Sequence, residues 1–208
     1  MNHANVIERA ARRALLALAR DAIVVESASR EASRDAPASA LAPGPSALAL
    51  LDQRCGAFVT LTLCARLRGC IGRVEPDQPL RSMIPDVARL AAFADPRFPP
   101  VGAGELTALV IEISLLSTPV AVVDPGEVVV GRHGLAIASR GRRGLLLPQV
   151  AVKHNFDREQ FLNETCGKAG LEAGSWREPG TELASFTADV FAELQSGGDP
   201  PPPRPAVK

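Results

Sequence analysis

Aromatic residues are scarce in this chain, and neither sign of charge dominates it. Tyrosine is absent, and aromatic residues make up 4% of the 208 residues. Proteins that bind single-stranded nucleic acid stack bases on aromatic side chains, and nucleic-acid-binding domains usually carry an excess of basic residues. Here 23 basic residues balance 23 acidic residues, so the formal net charge is zero. RNA or nucleotide binding is therefore the weakest functional hypothesis for this sequence.

Metal-ligand pairs and long apolar runs are also missing. The four cysteines form no CxxC pair, and there are only three histidines. Structural zinc sites usually take closely spaced ligand pairs, so the sequence predicts neither a metal site nor a cofactor. No run approaches the roughly 20 apolar residues that span a bilayer, and arginines interrupt the apolar pattern of the N-terminus. We expect a protein without membrane association, located in the reducing cytoplasm with free thiols.

The composition divides the chain into four parts. Residues 1–26 predict an amphipathic helix from Asn5 to about Val25, because apolar residues recur at helical spacing opposite several arginines. Residues 27–46, rich in Ala, Ser and Pro, predict a linker or surface loop. Residues 47–196 predict the main domain. The proline-rich residues 197–208 predict a disordered tail.

Within the main domain, alternation of apolar and polar residues predicts strands. The predicted strands cover residues 57–63, 109–116, 127–130, 134–138 and 144–147, with a last strand, or a strand and a turn, within 184–194. The segment Arg140–Gly144 predicts a basic turn, more typical of a solvated hairpin tip than of a phosphate site. We expect the elements to fall into two halves, before and after about Leu116. The pattern favours an α+β fold with a largely antiparallel mixed sheet.

Two helices are predicted in this domain. Residues 79–94 carry an apolar helical face, and Pro85 within them should either kink the helix or mark its start. Residues 157–169 begin with a capping-box pattern of Asp157 and Gln160, and Gly170 should end the helix. Cys166 lies on the apolar face of this second helix and is predicted to be a core residue.

The most distinctive segment is the hexapeptide Leu67–Gly72, which reads LRGCIG. Arg68 favours the reactive thiolate form of Cys70, and residues two apart on a strand should share a face. The alternative is that Cys70 is a small buried residue at a strand end. The hexapeptide closely follows the predicted strand at 57–63, which implies a hairpin. However, the connecting residues Leu63-Cys64-Ala65 include none that readily takes a positive φ.

The hexapeptide and several later segments together resemble the AMMECR1 family. They are Asp95–Pro100 (DPRFPP), Glu112–Ser114 (EIS), Gly134-Leu135 and Leu147–Val150 (LPQV). The bacterial and archaeal members are also called AmmeMemoRadiSam system protein A. The resemblance implies two small α/β subdomains that share one core and a barrel-like sheet. It also implies a pathway with Memo-like and radical-SAM partner proteins, but it brings no settled activity.

We expect the family-matching residues to converge on one cleft that binds a small molecule. The candidate catalytic residues are Cys70, Arg68, Glu112 and His133, and the candidate ligand-binding residues are Gly69, Gly72, Asp95 and Arg97. Alternatively, Asp95 and Arg97 pair only with each other, and Glu112 has no special role if its face of the strand meets solvent. Cys70 would act as a nucleophile or thiol acceptor, and Glu112 as an acid, a base or a ligand-orienting carboxylate. No acid is spaced so as to orient a histidine, so a Cys-His-Asp triad is not predicted.

Three functional hypotheses stay open on this basis. The first is an enzyme that uses the Cys70 thiol. The second is a non-catalytic module or scaffold in which the hexapeptide shapes a cleft for a small ligand or a partner. The third and weakest is RNA or nucleotide binding. The sequence leaves the oligomeric state open.

Overall fold

The structure is a computed structural model that describes residues 9–30 and 49–193. Within these ranges the chain forms two compact units. The first unit holds residues 9–30, 49–115 and 189–193, and the second holds residues 116–188. This division agrees with the two halves that the sequence predicts around Leu116. Residues 1–8, residues 31–46 of the predicted linker and the predicted tail at 197–208 lie outside the described residues.

Helices and strands are numbered in chain order. They are α1 (Arg9–Arg30), β1 (Ala57–Leu63), β2 (Arg66–Arg73), α2 (Leu80–Phe93), β3 (Leu109–Leu116), β4 (Val120–Ala121), β5 (Gly134–Ser139), β6 (Arg142–Leu146), α3 (Pro148–Lys153), α4 (Arg158–Lys168), β7 (Glu182–Phe186) and β8 (Ala188–Ala192). β1 and β3 occupy the residues predicted for them, because strict alternation of apolar and polar residues is a strong strand signal.

The first unit is built on a four-stranded sheet with the strand order β2-β1-β3-β8. β1 is antiparallel to both β2 and β3. One face of the sheet, with Val59 and Leu61 of β1, is fully buried and joins the apolar faces of α1 and α2 in one hydrophobic cluster. Burial of each such side chain stabilises the fold by about 1.5–3 kcal/mol. The opposite face carries Thr60, Cys70 and Glu112 and is called the outer face here.

Helix α2 lies almost where the sequence predicts it and passes through Pro85 without a break. The alternative that the helix begins at Pro85 is wrong. The extended residue Pro79 precedes the first turn, and its carbonyl accepts hydrogen bonds from the backbone N–H groups of Ser82 and Met83. Pro85 lacks an N–H and so leaves out one helical hydrogen bond, but the helix continues beyond it to Phe93.

Helix α1 continues to Arg30, past its predicted end near Val25. Ser27 in this last part is buried, and the Arg30 guanidinium lies 4.7 Å from the centroid of the Phe93 ring at the end of α2. Contacts with α2 thus stabilise the last turn of α1, whose residues were predicted to belong to the linker on the basis of their composition. Any linker therefore begins after Arg30 rather than at residue 27.

A loop of two residues, Cys64 and Ala65, joins β1 to β2. Their φ angles are 49° and 60°, the pattern of a type I′ hairpin turn. The hairpin therefore forms although neither residue favours this conformation. Left-handed backbone at a residue other than glycine costs about 1–2 kcal/mol, so the cross-strand contacts of β1 and β2 must offset this strain.

The second unit has its own four-stranded sheet, with the order β4-β7-β5-β6. Its hydrophobic cluster joins β5 to helix α4 through residues such as Leu135 and Phe161. The predicted capping box of α4 is confirmed: Asp157 Oδ1 accepts from the Gln160 N–H at 2.8 Å, and Gln160 Oε1 accepts from the Asp157 N–H at 2.9 Å. Cys166 is fully buried in this cluster, as predicted.

Other predictions for the second unit need correction. Residues 127–130 are not a strand, because Glu127 ends a short 3-10 turn in which Asp124 accepts a hydrogen bond from the Gly126 N–H. Residues 148–153, for which no helix was predicted, form α3. The basic turn is confined to Arg140 and Gly141, whose φ angles are 51° and 74°, and the residues after it belong to β6.

The α+β class with antiparallel sheets is confirmed, but the barrel-like sheet and the single shared core are not. In the described residues each sheet is open, with β2 and β8 as the edges of one and β4 and β6 as the edges of the other. The buried hydrophobic residues form two separate clusters. Each sheet has one apolar face, and helices of its own unit cover that face. None of the helices in the described ranges is long and apolar enough to cross a membrane.

Candidate functional site

A β-bulge at Arg68 decides which way the candidate thiol points. A hairpin with a loop of two residues and no bulge would pair Cys70 with Val59, whose side chain lies in the core. The register shifts by one residue at Arg68, so Cys70 pairs with Thr60 instead. A shift of one residue moves the side chains beyond it to the opposite face of a sheet. The bulge therefore brings Cys70 out of the core and onto the outer face.

Thr60 stands between Cys70 and Glu112 in a row across three strands. Strands lie about 4.8 Å apart, so the backbones of Cys70 and Glu112 are separated by about 10 Å. The Thr60 hydroxyl donates a hydrogen bond to the Cys70 sulfur at 3.3 Å. Cys70 is half-buried. The sequence did not point to Thr60 as a site residue, because its pairing with Cys70 depends on the bulge.

Asp95 and Arg97 hold the backbone of Cys70 at the free edge of β2. The Cys70 N–H donates to Asp95 Oδ2 at 2.9 Å, and Arg97 Nη2 donates to the Cys70 carbonyl at 2.9 Å. Arg97 also donates to Asp95 through Nε at 2.9 Å and Nη2 at 2.7 Å. The pair thus supplies one acceptor and one donor, as a neighbouring strand would. Asp95 and Arg97 thus hold each other, which is one of the two roles that the sequence allows, and ligand binding by either residue stays a prediction.

Asp95 and Arg97 stabilise each other's charged forms. Asp95 is buried, and hydrogen bonds from Arg97 hold the pKa of its carboxyl well below the ordinary range, although burial opposes the shift. The same bonds raise the pKa of Arg97, and the nearby Cys70 thiol makes a smaller contribution in the same direction. Arg97 is therefore a cation whose guanidinium lies next to the backbone of Cys70. Ion pairing with Asp95 keeps it in this position.

Arg68, the residue predicted to activate Cys70, has other partners. Its Nε and Nη2 donate to the Glu105 carboxylate at 2.8 and 2.9 Å, and its Nη1 donates to the Pro99 carbonyl at 2.8 Å. The alternation rule that placed Arg68 beside Cys70 fails at the bulge. Arg68 instead fastens β2 to the segment that follows Arg97. Sequence reasoning missed Glu105, whose spacing from Gly102 was the available signal: Glu105 also accepts from the Gly102 N–H at 2.8 Å.

The two glycines of the hexapeptide are required by packing within the protein. A Cβ atom at Gly69 would overlap with the backbone carbonyl of Ala91 in α2. A Cβ atom at Gly72 would overlap with the ring of Phe58 on the neighbouring strand. Neither glycine has a positive φ. In this structure they let α2 and the Phe58 ring lie close to β2, and their role in ligand binding stays a prediction.

His133 belongs to the second unit. Its Nδ1 accepts a hydrogen bond from the Val129 N–H at 3.2 Å, within its own turn. Burial lowers the pKa of His133, and the neighbouring Arg132 lowers it further. A neutral imidazole suits a general base, but one of the two ring nitrogens is already engaged. The catalytic role of His133 stays a prediction.

The other three cysteines provide natural comparisons for Cys70. Burial raises the pKa of Cys55 to about 11 and also raises that of Cys166. Cys166 is fully buried, whereas Cys64 is exposed at the tip of the first hairpin. All four cysteines have free thiols in this structure. Cys55 and Cys70 are both half-buried. Cys70 differs in that a hydroxyl donates to its sulfur and a guanidinium donates to its carbonyl.

A buried hydroxyl without a partner lies on the same face of the sheet as Cys70. Ser114 follows Glu112 by two residues on β3, so both side chains point to the outer face. The Ser114 side chain is 1% exposed, and its Oγ has no hydrogen-bond partner among the described residues. Buried polar atoms are nearly always satisfied, so the unpaired Ser114 hydroxyl calls for an explanation.

An antiparallel sheet whose edge strand carries LRGCIG against a DPRF turn defines an AMMECR1-type domain. The family model described as AMMECR1 matches residues 16–191, and the chain belongs to this family. Two of the similar proteins are archaeal. Protein Mbar_A1807 of Methanosarcina barkeri is 42% identical over 155 residues, which cover 72% of this chain and 76% of that protein. A protein of Thermofilum pendens is 38% identical, and the match covers 93% of this chain and 91% of that protein.

The fold is also similar to a solved structure. The crystal structure of uncharacterized protein PH0010 from Pyrococcus horikoshii matches with a TM-score of 0.79 and 36% sequence identity. The match covers 93% of this chain and 96% of that chain. These relatives establish the family and the fold but state no activity. The chemistry of this protein therefore has to be argued from its own site.

Proposed function

We propose that Cys70 is the reactive thiol of a small-molecule site on the outer face of the first unit. The single observation that carries this proposal is the environment of its sulfur. The Thr60 hydroxyl donates a hydrogen bond to it at 3.3 Å, and the Arg97 guanidinium lies 2.9 Å from the carbonyl oxygen of the same residue. A hydrogen-bond donor and a cation both stabilise a thiolate, which is the nucleophilic form of cysteine.

The chemistry supported by this arrangement is attack of the sulfur on an electrophilic carbon. The thiol loses its proton to solvent, a sulfur–carbon bond forms, and the leaving group departs with its electron pair. The hydrogen bonds from Asp95 and Arg97 to the Cys70 backbone fix the position of the attacking atom. Fixed geometry of this kind lowers the entropy cost of reaching the transition state. No histidine is needed for this step.

Polar groups on the same face would orient the ligand. Glu112 lies two strands from Cys70 in the same row, and Ser114 lies two residues further along β3. The unsatisfied Ser114 hydroxyl gives a second, independent sign that a polar group belongs here. We assign Glu112 and Ser114 to ligand binding and Cys70 to the reaction itself.

The test is peptide-resolved mass spectrometry of alkylation by iodoacetamide in the native protein. We expect Cys70 to be labelled faster than exposed Cys64, although Cys70 is less accessible, and much faster than Cys55 and Cys166. Thr60→Val should slow Cys70 labelling by about fivefold, the equivalent of one net hydrogen bond of about 1 kcal/mol. Thr60→Ser should restore most of the rate.

A matched control exists on the same strand. Thr62 also lies on the outer face of β1, but it pairs with Leu67 rather than with Cys70. Thr62→Val therefore removes the same hydroxyl from the same face and should leave the labelling rate unchanged. If native Cys70 is labelled no faster than Cys166, the reactive-thiol proposal fails and the non-catalytic binding module takes its place.

The binding module is a second candidate because of a specific observation. Gly69, Gly72, Asp95 and Arg97 all have partners or packing roles inside the protein, which is what a rigid recognition scaffold requires. Its signature would be protection of Cys70 from alkylation by a bound ligand, without any covalent product. RNA or nucleotide binding has no comparable support among the described residues.

The cellular setting is part of the same proposal. Four free thiols are compatible with the reducing cytoplasm that the sequence predicts. A pathway with Memo-like and radical-SAM proteins stays a prediction that derives from the family resemblance. Sedimentation of this chain mixed with a purified Memo-like protein would test physical association, and the absence of a faster-sedimenting species would count against it.

A further inference from the structure

The Arg97 guanidinium is oriented with its charge toward solvent. Asp95, its partner, is 4% exposed as a residue, whereas 53% of the Arg97 side chain is exposed. Both oxygens of Asp95 are engaged by backbone and guanidinium donors on the protein side. The negative end of the ion pair is therefore buried and the positive end is accessible. An incoming molecule at Cys70 meets the cation before it meets the carboxylate.

Arg97 also keeps hydrogen-bonding capacity that its structural role does not use. A guanidinium has five N–H donors. The bonds to Asp95 and to the Cys70 carbonyl use Nε and Nη2 and leave Nη1 out. The Nη1 amino group is thus available to an oxyanion. It belongs to the guanidinium whose Nη2 donates to the Cys70 carbonyl at 2.9 Å, so the free donor lies close to Cys70.

The other charges near β2 do not compete for this position. Glu105 is engaged by Arg68 through two hydrogen bonds. Arg66 is exposed on β2, in the register position next to the hairpin loop. The acidic groups that contact Cys70 and Arg68, Asp95 and Glu105, are thus each paired with an arginine, and the accessible charge in contact with Cys70 is that of Arg97. Glu112 lies about two strand spacings away in the same row. Charged groups at a binding site select their ligands mainly through such complementarity.

We propose that the substrate of Cys70 is an electrophile that carries a carboxylate close to its reactive carbon, and that Arg97 binds this carboxylate. The proposal rests on the reactive thiol proposed above and adds the class of substrate. In the reaction the Cys70 thiolate forms a bond to the carbon, and the leaving group departs with the electrons of the broken bond. The carboxylate takes no part in the bond changes, so Arg97 acts as the specificity-determining residue.

The experiment compares two alkylating reagents that differ in charge. Iodoacetate carries a carboxylate one bond from its reactive carbon, and iodoacetamide is its neutral analogue. In both cases sulfur displaces iodide, so the step is the same. The measured quantity is the ratio of the two labelling rates at Cys70 in the native protein. The same ratio at Cys70 in the chain unfolded by urea serves as the reference and cancels the intrinsic difference between the reagents.

We expect the native ratio to exceed the unfolded ratio by about fivefold at low salt, the upper end for an ion pair in contact with solvent. Added sodium chloride should reduce this preference, because salt screens exposed charges. Arg97→Gln should abolish it and Arg97→Lys should retain part of it. Arg66→Gln removes one positive charge from the same strand and should leave the preference unchanged.

The outcomes separate this inference from the proposal on which it rests. Slow labelling of native Cys70 by iodoacetamide would overturn the reactive thiol itself. Fast labelling by iodoacetamide, with a native ratio equal to the unfolded ratio at low salt, would leave the reactive thiol standing and overturn the carboxylate preference. The salt titration uses the wild-type protein, so the inference can be refuted even if Arg97→Gln fails to fold.

Discussion

Replacement of Asp95 by asparagine tests how much the edge of β2 depends on one buried carboxylate. Asp95 Oδ1 accepts from the Arg97 backbone N–H at 3.1 Å and from Nε at 2.9 Å, and Oδ2 accepts from Arg97 Nη2 at 2.7 Å and from the Cys70 N–H at 2.9 Å. Each oxygen thus serves two donors. The NH₂ group of asparagine faces two donors in either orientation of the amide, so two of the four bonds are lost.

The size of the effect follows from these bonds. A hydrogen bond to a charged group contributes about 1.5–3 kcal/mol, so the loss of two should lower the free energy of unfolding of the first unit by about 3–6 kcal/mol. Asp86→Asn is the control, because Asp86 forms an exposed pair with Arg89 on α2, and such a pair contributes less than about 1 kcal/mol.

The assay can separate the two units. The chain has one tryptophan and no tyrosine, and Trp176 lies in the second unit. During urea denaturation, far-UV circular dichroism follows both units, whereas Trp176 fluorescence follows the second. Asp95→Asn should shift the circular-dichroism transition. If the fluorescence transition alone moves, the assigned role of Asp95 in the first unit is wrong.

The effect of Asp95→Asn should also depend on pH. The pKa of Asp95 in the folded protein lies below the value of about 3.9 expected in the unfolded chain. Its ionisation therefore stabilises the fold fully above about pH 5, and this contribution is lost as the pH falls below about 4 toward the folded pKa. The difference between wild type and variant should shrink from pH 7 to pH 3. A loss below about 1 kcal/mol at neutral pH, or an equal loss at both pH values, would refute the reasoning.

Three further substitutions test other features of the first unit by denaturation. Gly69→Ala should destabilise by several kcal/mol because its Cβ would overlap with a carbonyl of α2, whereas Gly104→Ala, which meets open space, should be nearly neutral; equal effects would contradict the packing role. Replacement of the Cys64-Ala65 loop by Asn-Gly should stabilise by about 1–2 kcal/mol because both φ angles are positive, and no gain would argue against the type I′ turn. Ser114→Ala should stabilise the free protein by about 1 kcal/mol, since it removes an unsatisfied hydroxyl, and a clear loss would show that the hydroxyl has a partner.

The strands and helices with strong periodicity could be predicted from the sequence. Alternation located β1 and β3 at the residues observed, and the capping box located the start of α4. Short elements could not be found this way, since α3 has only six residues and β4 only two. The end of α1 was missed because contacts of Arg30 with Phe93, rather than local composition, stabilise its last turn. The end of α1 therefore depends on tertiary packing, which local sequence patterns do not encode.

The candidate site could be predicted in part, and the missing part has one physical origin. The family-matching segments located Cys70, Asp95 and Arg97, which the structure brings into contact. The partner Thr60 and the altered role of Arg68 both follow from the bulge in β2, which shifts the register by one residue. Nothing in the alternation of the sequence marks that shift. A regular hairpin would have turned the Cys70 side chain into the core, in agreement with the alternative of a small buried cysteine.

Arg97 has both a structural role and an exposed charge, and this affects how variants at the site have to be interpreted. One guanidinium bonds to buried Asp95, donates to the Cys70 carbonyl and is the exposed cation at this residue. A substitution of Arg97 therefore changes stability, the position of the thiol and its electrostatic environment together, so a loss of reactivity alone cannot identify its role. Asp95→Asn disturbs the same backbone contacts but keeps the cation. If Arg97 selects carboxylates by charge, Asp95→Asn should lower stability yet preserve the preference of Cys70 for iodoacetate over iodoacetamide. If that preference disappears together with stability, then charge alone is not its source, and the preference depends on the position in which Asp95 holds Arg97.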